Sequence, residues 1–240
     1  MRMREARYKQ CDIKYLLSHA LKSEMATFET ISSYIDDYGA IIVNNACLDA
    51  NNTLQIALTN QHATCTIELL LNNGAEIING TRNNTLDQAL YWRNSPDTIK
   101  LLLDRGAKPD IVSLRTAIER ELSFATIKLL LDYDPTIIYN NKYSSCNILS
   151  FAVENKCPVE IISLLLEYGA EITNPLNSPS HHILSKAQQY GASQEVIDLL
   201  LRNKAANESI QIDDIKISSL SSTSSLSSTS SLSSTSSLSI

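Results

Sequence analysis

The chain has 240 residues, 43% of them hydrophobic, which is enough to bury a core and too many for a wholly disordered protein. A formal charge of −6 and a pI near 5.2 weigh against a protein built to neutralise phosphates, so nucleic acid is not an expected partner. No stretch approaches the roughly 20 apolar residues that cross a bilayer, and the basic opening MRMREARYKQ leads into no apolar run of signal-peptide type, so the chain is read as soluble with no membrane partner.

After a short N-terminal lead at 1–11, an array begins. TIELLLNNGA ends at Ala75, TIKLLLDRGA at Ala107 and IISLLLEYGA at Ala170, while worn copies, TIKLLLDYDP and VIDLLLRNKA, end at Pro135 and Ala205. In each copy an alanine among apolar residues stands 17 positions before the glycine of GA or its replacement. The pairs are Ala57 and Gly74, Ala89 and Gly106, Ala117 and Asp134, Ala152 and Gly169, and Ala187 and Lys204. An earlier pair, Ala20 and Gly39, is 19 apart, so six units are predicted, with anchor alanines 37, 32, 28, 35 and 35 apart.

Each unit is predicted to hold two short helices. In TLQIAL, at 53–58, Leu54, Ala57 and Leu58 share one face of a helix too short to stand without neighbours. The second helix carries Ile67, Leu70 and Leu71 in one copy and Ile99, Leu102 and Leu103 in the next, with Leu69 and Leu101 widening the apolar face toward two neighbours. Pro96 and Pro158 stand where second helices begin, a place that tolerates their missing N–H. Gly39, Gly74, Gly106 and Gly169 are predicted helix terminators with left-handed dihedrals. Asp134, before Pro135, is expected to stop its helix by a different turn, and the helix end at Lys204 to fray. Segments such as AEIING and AEITNP then read as short extended fingers. The stretch 106–117 has lost most of its finger, and irregular stacking is expected there.

Paired short helices, a GA helix end and a finger reaching the next copy resemble ankyrin repeats, over roughly residues 12–206, with I/V-x-LLL-x-x-GA-x-I-x-N as the best-matching phrase. Where that family opens its first helix with T-P-L-H-x-A, this chain reads NTLQIA, NTLDQA, VSLRTA, NILSFA and HILSKA, keeping leucine and alanine but losing proline and histidine. The resemblance implies an all-α solenoid of about six degenerate helix-turn-helix repeats joined by short β-fingers. Degenerate repeats rich in Asn and Ile are similar to those of intracellular bacteria and large DNA viruses.

Beyond the array, Ile210, Ile212, Ile215 and Ile217 mark 207–217 as a candidate cap over the last unit. Residues 218–240 hold 15 serines in 23 positions, with Leu220, Leu226, Leu232 and Leu238 six apart. This low-complexity tail is expected to be disordered, because one leucine in six cannot offset the entropy of ordering.

Little in the sequence points to chemistry. There is no G-x-G-x-x-G, P-loop, H-E-x-x-H, G-x-S-x-G or C-x-x-C, and no catalytic, cofactor-binding or metal-ligating set is predicted. His181 and His182 lack a third ligand at useful spacing, and Asp36–Asp37 and Asp213–Asp214 read as solvated carboxylates. The scattered Cys11, Cys47, Cys65, Cys146 and Cys157 suggest free thiols in a reducing compartment; Cys65 and Cys157, near second-helix starts, read as structural thiols.

A monomeric, non-catalytic module that binds a protein partner is therefore expected. The alternative is a regulatory or effector-type adaptor whose Ser-rich tail serves delivery, phosphorylation or tethering. The expected location is cytoplasmic, with delivery into a host cell if the source is an intracellular parasite. In ankyrin-like arrays the positions two and three after the first-helix alanine face the concave groove. That rule selects Tyr91 and Trp92, beside Arg93, then Glu119 and Arg120, Glu154 and Asn155, and Gln189 and Tyr190. Trp92 is the chain's only tryptophan, and Trp, Tyr and Arg dominate binding hot spots; the alternative is that Tyr91 or Trp92 fills the space beside the shortened finger after Gly106.

Overall fold

A computed structural model describes residues 16–23, 27–43, 52–80, 84–139, 148–172 and 183–204. The N-terminal lead, the candidate cap at 207–217, the Ser-rich tail and the His181–His182 pair lie outside the described residues. Paired helices fill the described segments in the predicted order. Unit one holds α1 (16–22) and α2 (Phe28–Tyr38). Unit two holds α3 (Thr53–Thr59) and α4 (Thr64–Asn72), and unit three α5 (Thr85–Tyr91) and α6 (Pro96–Asp104). Unit four holds α7 (Ile111–Glu119) and α8 (Phe124–Tyr133), and unit five α9 (Ile148–Glu154) and α10 (Val159–Glu167). Unit six holds α11 (Ile183–Gln189) and α12 (194–204).

Seven-residue helices such as α3 and α5 cannot persist alone, and packing holds them. First helices stack on first helices and second on second, along one continuous core. Leu54, Ala57, Leu58, Leu86, Ala89 and Leu90 are buried in α3 and α5; Ile67, Leu70, Ile99 and Leu102 are buried in α4 and α6. Polar caps fix where each helix starts. Asn52 and Asp110 form capping boxes with Gln55 and Ser113, and the Ser95 and Ser123 hydroxyls accept the N–H groups of Thr98 and Thr126. Pro96 is the first helical residue of α6, whereas Pro158 sits one position earlier, at the N-cap of α10.

Gly74, Gly106 and Gly169 have φ of +87°, +97° and +90°, as predicted for helix terminators; Gly39 also ends its helix, but with φ +65° and ψ −164° it departs from the left-handed helical conformation predicted for it and leads into a 3₁₀ helix. The alanine of each GA explains itself: Ala75, Ala107 and Ala170 donate their N–H to the carbonyls of Leu70, Leu102 and Leu165, closing the helix end. Asp134 stops α8 in an extended conformation, its carboxylate accepting from the Thr136 N–H and hydroxyl. A 3₁₀ helix, Pro135–Tyr139, follows in place of a finger. Helix α12 runs to the last described residue, so how it ends at Lys204 lies outside the described residues.

A second left-handed position, four residues after each anchor alanine, went unread in the sequence. Gln61, Arg93, Glu121, Lys156 and Gly191 have φ of +55°, +57°, +52°, +55° and +69°. It lets His62, Asn94, Leu122, Cys157 and Ala192 donate their N–H back to the anchor alanine carbonyl. Four of the five turns adopt it without glycine, so no glycine signal marked it.

The finger at 75–80 is a loop, and no strand pairing occurs among the described residues. Asparagines join the loops instead. Asn79 donates to the Gly106 carbonyl and accepts from the Lys108 N–H, and Asn52 donates to the Glu76 carbonyl. Asn79 is the asparagine of GA-x-I-x-N in the copy that begins at Gly74.

The expected irregularity at 106–117 is not where the stack loosens. Helices α5 and α7 pack closely across the short connection, tied by Ser113 Oγ donating to Asp87 Oδ1 at 2.6 Å. The looser junction is between α7 and α9. Here the 3₁₀ helix buries Ile137 and Ile138 and packs on α8 and α7.

Candidate functional site

The positions selected on the first helices meet different fates. Tyr91 and Trp92 are 47% and 39% exposed, with ring centroids 5.3 Å apart at an interplanar angle of 79°, an edge-to-face pair. The carbonyl of Trp92 accepts from Gln61 Nε2 of unit two at 2.7 Å. Arg120, from unit four, lays its guanidinium over the Tyr91 ring with Cζ 3.5 Å from the centroid. Tyr91, Trp92 and Arg120 thus form one surface feature across two units, and Arg93 lies exposed beside it.

The remaining candidates do not join them. Glu119 and Gln189 are exposed. Tyr190 is exposed after the end of α11. Asn155 turns back to donate to the Phe151 carbonyl at 2.8 Å. Glu154 is half-buried in an ion pair with Lys186 of unit six, which makes it a joint between units.

Two residues of this face escaped the selection. Arg115 lies over the Phe151 ring of unit five, Cζ 4.1 Å from the centroid. They stand two and one positions before their anchor alanines, Ala117 and Ala152, so counting backward from each anchor as well as forward would have found them. Asp87 holds the corresponding place in α5, and burial pushes its carboxyl up from about 3.8 to about 6, Asp110 adding to the rise and the Ser113 hydrogen bond opposing it.

On the inter-helix turns the units are tied by side chains. His62 Nε2 lies 2.9 Å from the Leu21 carbonyl of the preceding unit, and Asn94 Nδ2 donates to the Leu58 carbonyl at 2.9 Å. Leu122 and Ala192 hold the equivalent place in units four and six and Cys157 holds it in unit five, and none of the three makes such a bond. A cavity of about 520 Å³ opens there, lined by Ile118, Leu122, Phe124, Ile127, Cys157 and Ile161 among others. Burial, with Glu121 adding to it, pushes the Cys157 thiol up to about 11, the behaviour of a structural thiol. Among the described residues no group of His, Cys, Asp and Glu is placed to hold a metal ion, and no helix is long and apolar enough to cross a membrane.

No family model and no curated protein matches the sequence. Solved structures do match. The ankyrin repeat domain of Bcl-3, described as a unique member of the IkappaB protein family, shares 20% identity at a TM-score of 0.57, covering 78% of this chain and 97% of that one. The human ASB11 ankyrin repeat domain shares 19% identity at a TM-score of 0.47, again over 78% and 97%. With the paired helices, the GA helix ends and the stacked units, the first of these likenesses settles the architecture: the chain has the ankyrin-repeat fold.

Proposed function

We propose that the chain is a non-catalytic module that binds a protein partner through the concave surface of its first helices and fingers. The observation that carries this reading is the exposed Tyr91–Trp92 pair, held by Arg120 and Gln61 from both neighbouring units. Large aromatic rings fixed by neighbours lose little entropy on binding, and they bury much area when a partner covers them. A core-filling role for Trp92 fits poorly with its exposure. The module works as a monomer in a reducing, cytoplasmic setting, in keeping with free Cys65 and Cys157.

Proximity labelling in cells with the full chain and with Trp92→Ala tests the reading. Partners enriched by the full chain are expected to bind the variant more weakly by about 2 kcal/mol or more, with the melting temperature nearly unchanged. Equal binding, after correction for the folded fraction, would remove the groove from the account. Deleting residues 207–240 separates the tail: binding should survive, and a lost cellular location would assign delivery or tethering to it.

A further inference from the structure

Charges on the two sides of the array are treated differently. On the second helices, Lys100 pairs with Asp104, Lys128 with Asp132, and Arg105 with Glu68 of the preceding unit. Along the first helices of units three to five the carboxylates other than Glu119 are consumed internally while the arginines are not. Asp87 accepts from Ser113 Oγ, Asp110 caps α7 through the N–H groups of Val112 and Ser113, and Glu154 is held by Lys186. Arg115 and Arg120 are half-buried, each lying on an aromatic ring, and neither guanidinium has a carboxylate or hydrogen-bond acceptor among the described residues. The connecting segments 81–83, 140–147 and 173–182, which in sequence join units two to three, four to five and five to six, contain no Asp or Glu.

A guanidinium stacked by its face keeps its edge donors, and those donors match carboxylate oxygens in a planar fork. The aromatic shelf fixes the plane, so little rotamer freedom remains to be lost. Resting on the reading of this face as a partner-binding surface, we infer that the partner presents an acidic peptide segment, its carboxylates taken by Arg120 and Arg115 and its neighbouring side chains laid against Tyr91 and Trp92. Glu119, exposed between the two arginines, opposes such a segment and so sets a sign that can be measured.

Trp92, the only tryptophan, reports occupancy by its own fluorescence. The full chain is titrated with poly-L-glutamate, poly-L-lysine and an oligothymidylate of matched length, at low and physiological ionic strength. Poly-L-glutamate is expected to give a saturable change that weakens with salt. Arg120→Gln should lower its affinity about five- to tenfold, Arg120→Lys less, and Glu119→Gln should raise it about two- to threefold. Circular dichroism of each variant verifies that it is folded, and Glu119→Gln leaves both arginine–aromatic stacks in place. Tighter binding of poly-L-lysine, equal binding of the oligothymidylate, or an unmoved affinity in Arg120→Gln would each overturn the inference. Failure here with partner capture still dependent on Trp92 leaves the module intact and its partner not acidic. Capture that ignores Trp92 while poly-L-glutamate binds normally removes the module reading instead.

Discussion

At Asp87 a half-buried carboxylate pays for its place in the stack with solvation, and Ser113 returns only part of it. Because the folded pKa of about 6 lies above the ordinary 3.8, the group favours the fold below pH 3.8, and that contribution is lost as pH rises through 6. Asp87→Asn, whose side-chain oxygen still accepts from Ser113, should therefore stabilise the protein at pH 7 by on the order of 1–3 kcal/mol. Urea unfolding at pH 7 and pH 4 verifies this: the gain should shrink toward zero at the lower pH, and a gain independent of pH would place the cause elsewhere. Lys156, at φ +55°, shows the same scale of effect in the backbone. Side chains resist that conformation, so Lys156→Gly should raise stability by about 0.5–1 kcal/mol, net of glycine's freer unfolded chain. No change in the urea midpoint would mean that the turn relaxes at no cost.

The helix ends show how one phrase serves units with different surroundings. Gly106 and Gly169 share left-handed dihedrals, but a Cβ at Gly106 would meet open space whereas one at Gly169 would strike the Tyr139 hydroxyl. Tyr139 reaches this point from the 3₁₀ helix that follows Asp134, and its hydroxyl donates to the Tyr168 carbonyl at 3.3 Å. Gly106→Ala should cost about 1 kcal/mol, for the dihedral alone. Gly169→Ala should cost more, and Tyr139→Phe should recover part of the difference. Thermal melts of both single variants and the double variant decide it, since equal costs at the two glycines would show the tyrosine moving aside freely. The threonines of the repeated TI phrase also belong to this scale. Thr66, Thr98 and Thr126 are buried at equivalent positions, and Thr98 bonds to Ser95 and to Thr64 of the preceding unit, so a capping group doubles as a link between second helices.

Across the whole molecule, each unit leans on its neighbours and no element is stable by itself. Leu102 is fully buried in α6, which packs against α4 and α8. Leu102→Ala should cost about 2 to 5 kcal/mol, from lost transfer energy and the cavity left behind. Hydrogen exchange should show protection falling in α4 and α8 as well as in α6; a loss confined to α6 would mean that the units fold independently. The α7–α9 junction, where the first helices pack less closely and a cavity opens, is the place where the array should part first. The end of the array follows the same logic. Leu201 of α12 is exposed, whereas at the same position Leu103 and Leu131 of α6 and α8 are buried and Leu71 and Leu166 of α4 and α10 are half-buried.

Periodicity alone determined the six paired helices, their order, the buried leucines and the glycine stops, because these depend on spacing along the chain and on the backbone freedom of one residue type. The resemblance to ankyrin arrays, not the periodicity, supplied the position rule that selected Tyr91, Trp92 and Arg120, which the fold brings together. Three things were decided only in three dimensions. The second left-handed turn is adopted by Gln61, Arg93, Glu121 and Lys156, whose side chains carry no signal for it, because closing onto the anchor alanine outweighs the strain. The loosened junction falls between units four and five rather than at the shortened finger: α5 and α7 are tied across the short connection by Ser113 and Asp87, whereas a 3₁₀ helix packed on α7 and α8 stands in the longer connection between units four and five. Last, Glu154, selected as a surface candidate, is neutralised by Lys186 from the next unit, and Arg115, which was not selected, is left with an aromatic shelf and no acceptor among the described residues, an outcome fixed by which side chains adjacent units place within reach.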